Sequence, residues 1–358
     1  MPFIAPRAEP ESHPALAIGP EPPVTGKFTR VAAIPLNFQN RSSVMARSAV
    51  GIIGTGHVGV AAAYAMFQRQ LASEIILVDK NHQRAEGEAM DLMHGQPLVG
   101  RVSVRAGDYE DLAHCQVIVI TAGVNQKPGE SRLDLLNRNA AVFREIAEEL
   151  DRHAPEAILV IATNPVDILT FVMQQLSHRA PRRVIGTGTM LDTSRFRALL
   201  GDSYEVNPRS VHAYILGEHG DSEVPIWSSA MIGGLSIMHH VINGRRFEPE
   251  PMDALFQRVR SAAFDIISRK GYTNTAIGLV IAYLVRVILE DQRSVLPVSV
   301  NPEGDYGQRD VCFSVPCVVG AQGVEYRLPP EANEAERQGL ESSAEILRKS
   351  LHGMTIVP

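Results

Sequence analysis

Residues 49–59 read AVGIIGTGHVG and run on, after Val60, into AAAYAMFQRQL at 61–71. A short apolar run rich in β-branched residues precedes three glycines, Gly54, Gly56 and Gly59, in the spacing G-x-G-x-x-G, and a stretch of helical character follows. Strand, glycine turn and helix in that order bring backbone N–H groups and the positive end of a helix dipole to one point. That is the chemistry a pyrophosphate needs. A glycine turn that merely joins strand to helix has the same local signature, so the second element decides. Asp79 ends the run IILVD, about twenty residues past the third glycine, where a carboxylate binds ribose hydroxyls in a dinucleotide fold. Its charge would repel a 2′-phosphate, so NAD is favoured over NADP.

Working outward, short apolar runs alternate with helical stretches. AVGII, IILVD, VIVITA, AILVIA and RVIGTG read as strands, and VSVRA adds another. AAAYAMFQRQL, RAEGEAMDLMH, DLLNRNAAVFREIAEEL and VDILTFVMQQL read as the helices between them. Strands apolar on both faces, each followed by a helix, predict a Rossmann-type doubly wound parallel sheet over 45–187. Ligands of such sheets lie beyond the carboxyl ends of the strands. Asp79, TAG at 121–123 and TNP at 163–165 are expected to line that crevice. After about residue 188 the pattern mixes strands such as SVHAYILG, CFSVPCVVG and GVEYRL with long helices, the last over 331–350. This predicts a mixed α/β (α+β) catalytic domain over 188–358. Residues 1–44, with PEPPV among them, carry many prolines and few periodic apolar positions, and are expected to be a disordered extension. The alternative is that the natural start is Met45.

The 358-residue length fits about two domains with an ordinary core. The net charge of −6 lacks the basic surplus of a nucleic-acid binder. The longest apolar run, AIGLVIAYLV, stops at Arg286 and is too short for a bilayer, so no membrane partner is expected. Cys115, Cys312 and Cys317 form no CxxC, and free thiols fit a cytoplasmic location. No metal site is expected.

Among twelve histidines, His219 is distinguished by its context, GEHGD, whose glycines permit close approach. A histidine that gives and takes a proton needs a carboxylate on its other nitrogen to fix the tautomer and stabilise the imidazolium. Asp192, in MLDTSRFR, is one candidate among others. Asp192 and Arg195 are three apart in a predicted helix and share a face. One face could therefore hold a carboxylate for the histidine and a guanidinium for a substrate acid. A surface ion pair would have the same spacing. Arg197, two further on, is rotated by about 200° and points elsewhere.

These stretches together resemble the lactate/malate dehydrogenase family, and most of all its bacterial L-lactate branch. GTGHVG, NQKPGESR (125–132), IATNPVD, GTGTMLDTSRFR, VHAYILGEHGDSEVPIWS, KGYTNTAIG and SVLPVSV occur in family order from about Val50 to Leu351. The resemblance implies NAD-dependent interconversion of pyruvate and (S)-lactate, the fermentative step after glycolysis. It implies NQKPGESR as part of a lid over the substrate, His219 as proton donor and acceptor, Asp192 as its partner, Arg195 as the fork for the substrate carboxylate and Arg132 as the group that polarises the carbonyl once that lid closes. It also implies Asn164 and Thr273 as substrate contacts. Gly54, Gly56, Val58, Gly59, Asp79, Arg84, Tyr109, Gly123, Val124, Ala162, Thr163, Asn164 and Ile277 are implied as the NAD contacts. It further implies a homotetramer, with Arg197 and His212 matching positions that bind fructose 1,6-bisphosphate in activated members.

Within that resemblance Gln126 separates substrates. Pyruvate ends in a methyl and oxaloacetate in a second carboxylate, which an arginine at this position pairs with in malate dehydrogenases. A neutral glutamine leaves that charge unpaired in a dry site, at a cost of several kcal/mol. Glu130, in the same loop, is expected to disfavour a dianion further. The other readings are a malate or other 2-hydroxy-acid dehydrogenase, and a non-catalytic NAD-binding scaffold. The latter predicts a broken site, whereas His219, Asp192, Arg195, Arg132 and Asn164 are all in place.

Overall fold

The computed structural model describes residues 48–124 and 129–354. The extension 1–44 and Gln126 lie outside the described residues. The first half runs β1 (Ala49–Ile53), α1 (His57–Gln68), β2 (Glu74–Val78), α2 (His82–His94), α3 (Gln96–Val99), β3 (Ser103–Ala106), β4 (Val117–Ile120), α4 (Arg132–His153), β5 (Ile158–Ile161), α5 (Val166–Leu176) and β6 (Val184–Gly186). These six strands are parallel and lie in the order β3-β2-β1-β4-β5-β6. β1, β4, β5 and β6 are buried at every residue, as strands covered by helices on both faces must be. The chain reverses its direction of travel across the sheet between β1 and β4, and a crevice opens beyond the carboxyl ends at such a point.

The second half continues with α6 (Met190–Tyr204), the two-residue strands β7 (Val211–His212), β8 (Ile215–Leu216), β9 (Val224–Pro225), β10 (Met231–Ile232) and β11 (Leu235–Ser236), and helices α7 (Pro249–Lys270) and α8 (Thr275–Leu289). It ends with β12 (Ser294–Val300), β13 (Phe313–Gly320), β14 (Gly323–Arg327) and α9 (Glu334–His352). The mixed α/β segment does not build its sheet apart. β12, β13 and β14 join antiparallel and extend the parallel sheet past β6, giving nine strands, with Ser299 of β12 set against Gly186 of β6. Beyond it, Phe196, Leu200 and Tyr204 of α6 pack with Ile215, Met252, Phe256 and Val259 in a second apolar cluster. No helix among the described residues is long and apolar enough to cross a membrane.

Two local departures from the sequence reading have plain causes. SVHAYILG is not one strand, because α6 takes its backbone groups. Arg197 Nε donates to the Ala213 carbonyl, and Ile215 N donates to Thr193 Oγ1. β7 then pairs with β10, while β8 pairs with β9. The last helix starts at Glu334 rather than Glu331. Asn333 accepts from the Glu336 N–H while the Glu336 carboxylate accepts from the Asn333 N–H, a reciprocal cap that fixes the first turn.

Candidate active site

The glycine turn leaves β1 through Gly54, whose φ of 99° suits a residue without a Cβ. A Cβ on Gly54 would lie 2.6 Å from the Ala122 nitrogen, so this turn touches the end of β4 at the point where the strand order reverses. A Cβ on Gly59 would lie 2.0 Å from the Gly54 carbonyl oxygen. One on Gly56 would meet nothing within 4 Å. Space is therefore kept beside the middle glycine while the outer two are packed. No side chain caps the N-terminus of α1, and its first N–H groups remain available to an anion.

Asp79 stands just past β2. Its Oδ2 accepts from the Thr55 N–H at 2.6 Å and the Thr55 hydroxyl at 2.8 Å, and its Oδ1 accepts from Asn81 N–H at 2.9 Å. Burial raises its proton affinity, but these hydrogen bonds and the Arg84 charge outweigh burial and hold the carboxyl below its usual range. Asp79 thus braces the turn, and a carboxylate with three bonds keeps capacity for a hydroxyl. The next two strand ends are tied together: Thr163 Oγ1 donates to the Ala122 carbonyl at 2.7 Å, and Val124 N donates to Asn139 Oδ1 at 2.9 Å. A Cβ on Gly123 would sit 2.6 Å from Thr163 Cγ2. Ala162 is half-buried and Asn164 exposed at the carboxyl end of β5. Val58, Tyr109 and Ile277 pack partly buried against the core. Burial, then Glu149 and Glu145, push the Tyr109 phenol up to about 12. The His57 ring at the start of α1 stacks on Tyr272, centroids 3.9 Å apart, linking the glycine turn to the loop that carries half-buried Thr273.

The groups expected to carry the proton meet beside α6. Asp192, 2% exposed, places Oδ2 2.6 Å from His219 Nδ1, and its Oδ1 accepts from Arg195 Nη1 at 2.9 Å. The His219 backbone N–H donates to Asp167 Oδ2 at 2.7 Å, which anchors the histidine loop to α5. Burial pulls the imidazole's proton affinity down, but Asp192 above all, then Asp167 and Glu223, raise it to about 9. Burial also works against ionised Asp192, yet His219 and Arg195 hold its carboxyl below the usual range. The pair therefore rests as imidazolium and carboxylate, with the guanidinium of Arg195 alongside. Arg197 turns away, as its place on the helix requires. It donates to the carbonyl of Ala213, the residue after exposed His212, at 2.9 Å and lies over the Tyr214 ring at 5.0 Å.

Arg132 opens α4 with its side chain 69% exposed, Nη2 standing 3.9 Å from Glu218 Oε1. Glu218 is itself buried. Its backbone N–H donates to Ser343 Oγ at 2.7 Å, and its carboxylate accepts from Ser222 Oγ. Glu130 does not offer the free negative charge expected of it, because Arg138 Nη1 donates to its carboxylate at 2.6 Å.

Three carboxyl groups of this site, Asp167, Glu218 and Glu223, were not singled out from the sequence. Asp167 could have been: a carboxyl inside the otherwise apolar helix VDILTFV needs a polar partner. Glu223, only four residues past His219, gives no such signal.

A lactate/malate dehydrogenase NAD-binding domain matches residues 48–186, and the α/β C-terminal domain of the same family matches 189–355. The chain belongs to the lactate/malate dehydrogenase family. Within that family it is 60% identical over 311 residues to an L-lactate dehydrogenase of Salinibacter ruber, covering 87% of this chain and 98% of that one. An L-lactate dehydrogenase of Thermus aquaticus is 48% identical over 300 residues, covering 84% and 97%. Among solved structures, the minor L-lactate dehydrogenase of Enterococcus mundtii in a ligands-bound form superposes with a TM-score of 0.83 at 42% identity, covering 86% of this chain and 98% of that one.

Proposed function

We propose that this family member is an NAD-dependent L-lactate dehydrogenase that interconverts pyruvate and (S)-lactate. The observation that carries the reading is the constellation Arg195–Asp192–His219, a buried carboxylate that holds a guanidinium on one oxygen and an imidazolium on the other, in a chain so similar to proteins of that name. The residues present fit the cofactor: an uncapped helix N-terminus, open space over Gly56, a carboxylate at Asp79 and the tied strand ends at Ala122 and Thr163. NAD, held by Gly54, Gly56, Val58, Gly59, Asp79, Arg84, Tyr109, Gly123, Val124, the 162–164 backbone and Ile277, supplies or accepts the hydride.

The chain's own residues do the rest. Arg195, steadied by Asp192, binds the substrate carboxylate through two parallel N–H bonds. His219 gives the proton on its outer nitrogen to the keto oxygen in reduction and takes it back in oxidation, while Asp192 on Nδ1 fixes which nitrogen faces the substrate. Arg132 meets the charge that grows on the oxygen, Asn164 supplies a hydrogen bond near substrate and histidine, and Thr273 lines the substrate pocket. To meet that charge Arg132 exchanges its loose contact with Glu218 for the substrate. Gln126 leaves a second carboxylate without a partner and so favours the three-carbon acid.

Residues 45–187 form the NAD-binding half of this reading and 188–358 the catalytic half. Fructose 1,6-bisphosphate as an activator rests on the resemblance at Arg197 and His212, and is supported by Arg197 being held at the carbonyl of Ala213, the residue after His212. A homotetramer is supported by the groove of about 520 Å³ beside α1 and α2, where Tyr64 and Leu279 are exposed apolar groups that a second copy would cover. Three buried free cysteines suit a cytoplasmic setting. NADH consumption with pyruvate beside oxaloacetate tests the whole reading. Pyruvate is expected to be turned over with a kcat/KM at least about a hundredfold higher, and equal rates, or none with either acid, would refute it.

A further inference from the structure

One polar atom of each of Asp192, His219 and Glu223 lies within 4.8 Å of the other two. Glu223 stands at the end of the histidine turn, just before β9, and only 6% of it is exposed. Its Oε1 is fully buried and has no hydrogen-bond partner among the described residues. It lies close to a carboxylate already committed to ionisation by two cationic partners. Two buried carboxyls so near each other do not both ionise readily, and the one without a cation on its oxygens keeps the proton. Burial first and the Asp192 charge second push the Glu223 carboxyl up to about 8, against the opposing pull of His219, Arg195 and Arg260. Among the other charged groups around the cluster, Asp167 adds to its field: its second oxygen is buried without a partner among the described residues, and burial pushes its carboxyl up to only about 6, so it is ionised in the alkaline range. Asp167 holds the His219 N–H, Glu218 is held by Ser222 and faces Arg132, and Arg260 of α7 donates to the Asp221 carbonyl.

A charge count gives this proton a function. With Asp192 and Asp167 ionised, His219 and Arg195 cationic and Glu223 neutral, the cluster is neutral, and a monocarboxylate ligand brings in one negative charge. With Glu223 ionised the cluster is already negative, and the same ligand adds a second uncompensated negative charge to a buried site.

We propose that Glu223 is a positioning residue that must carry its proton for a 2-oxo monocarboxylate to bind beside Arg195, so that binding in the alkaline range takes up two protons, one at His219 and one at Glu223. This rests on the lactate dehydrogenase reading and adds to it a second linked proton.

The test is calorimetric titration of the NADH-loaded enzyme with oxamate, the amide isostere of pyruvate, in buffers of differing ionisation enthalpy, for the wild type and Glu223→Gln. Above about pH 9 the wild type is expected to take up more than one proton per oxamate, and E223Q at most one. The oxamate Kd of the wild type should also rise more than tenfold per pH unit there. Uptake of no more than one proton by the wild type, or equal uptake by both proteins, overturns the proposal while leaving the enzyme reading intact. No binding of oxamate at all overturns both. Should E223Q fold poorly, the wild-type proton count decides alone.

Discussion

Replacing Asp192 by asparagine removes one charge and keeps the shape, so its effect can be worked from the geometry. In the wild type Asp192 is the main reason that His219 holds its proton to about 9 rather than 6.5. That difference is worth about 3 kcal/mol of preference for the imidazolium. Without the carboxylate only burial and the weaker fields of Asp167 and Glu223 remain, and burial favours the neutral ring. The histidine of D192N should titrate near or below 6.5. At about pH 7.5 the wild-type ring is almost fully protonated and the variant ring about one-tenth protonated or less. Reduction therefore loses at least about tenfold in kcat/KM for pyruvate from proton occupancy alone, and more because Arg195 loses its tether and the imidazolium its counter-charge.

The assay is the pH profile of kcat/KM for pyruvate at saturating NADH, which reports groups in the enzyme before pyruvate binds. The alkaline limb, set in the wild type by Glu223 near 8 and His219 near 9, should move to near 6.5 or lower. The deficit at about pH 5.5 should be severalfold smaller than at about pH 7.5, since acid restores the proton. An unfolding midpoint measured alongside separates this from loss of the fold. If the limb stays where it was and the deficit is the same at both pH values, Asp192 is only a structural partner of Arg195, and the electrostatic account of His219 is wrong.

Gln126→Arg should raise the kcat/KM ratio of oxaloacetate to pyruvate by about a hundredfold or more, because it gives the second carboxylate a counter-charge; an unchanged ratio would refute the substrate assignment. Gly56→Ala should fold normally, its Cβ meeting nothing within 4 Å, yet weaken NADH at least about tenfold by filling the space kept for a pyrophosphate. Gly59→Ala, whose Cβ would collide with the Gly54 carbonyl, should lower Tm by several degrees before any cofactor is added. The His219 and Glu223 contributions to stability should fall as pH rises from about 4.5 to 9. His219 contributes fully below 6.5 and loses that contribution through about 9, and Glu223, pushed up to about 8, contributes fully below about 4.5 and loses its contribution through about 8. Asp192, held low, acts the other way only under strongly acid conditions. Thermal melts at several pH values check this, and E223Q should flatten the decline.

The parallel half of the fold was legible because its signals are local. Each of AVGII, VIVITA and AILVIA is apolar at nearly every position, and only a strand covered on both faces tolerates that. The glycine turn and Asp79 announce their geometry through residue type alone. What escaped depends on distant partners. That β12 would lie against β6, setting Ser299 beside Gly186, is decided by packing across more than a hundred residues and leaves no periodic trace. The bend between β7 and β8 is made by Thr193 and Arg197 reaching over from α6, so the segment itself reads as one strand.

The same distinction runs through the site. Asp192 and Arg195 share a helix face, so their convergence follows from helical spacing. Their meeting with His219 spans 27 residues and needed the fold. Glu223 is the sharpest case. It lies four residues from the histidine in a motif full of charged and polar groups, and in sequence it looks like one more exposed loop glutamate. Its place inside the protein, with one oxygen unpaired and Asp192 close by, is what turns it into a titrating group of the site. A motif identifies which residues a chemistry needs. The field they work in is set by buried neighbours that the motif does not mark, and it is that field which decides the pH range over which His219 can serve as an acid.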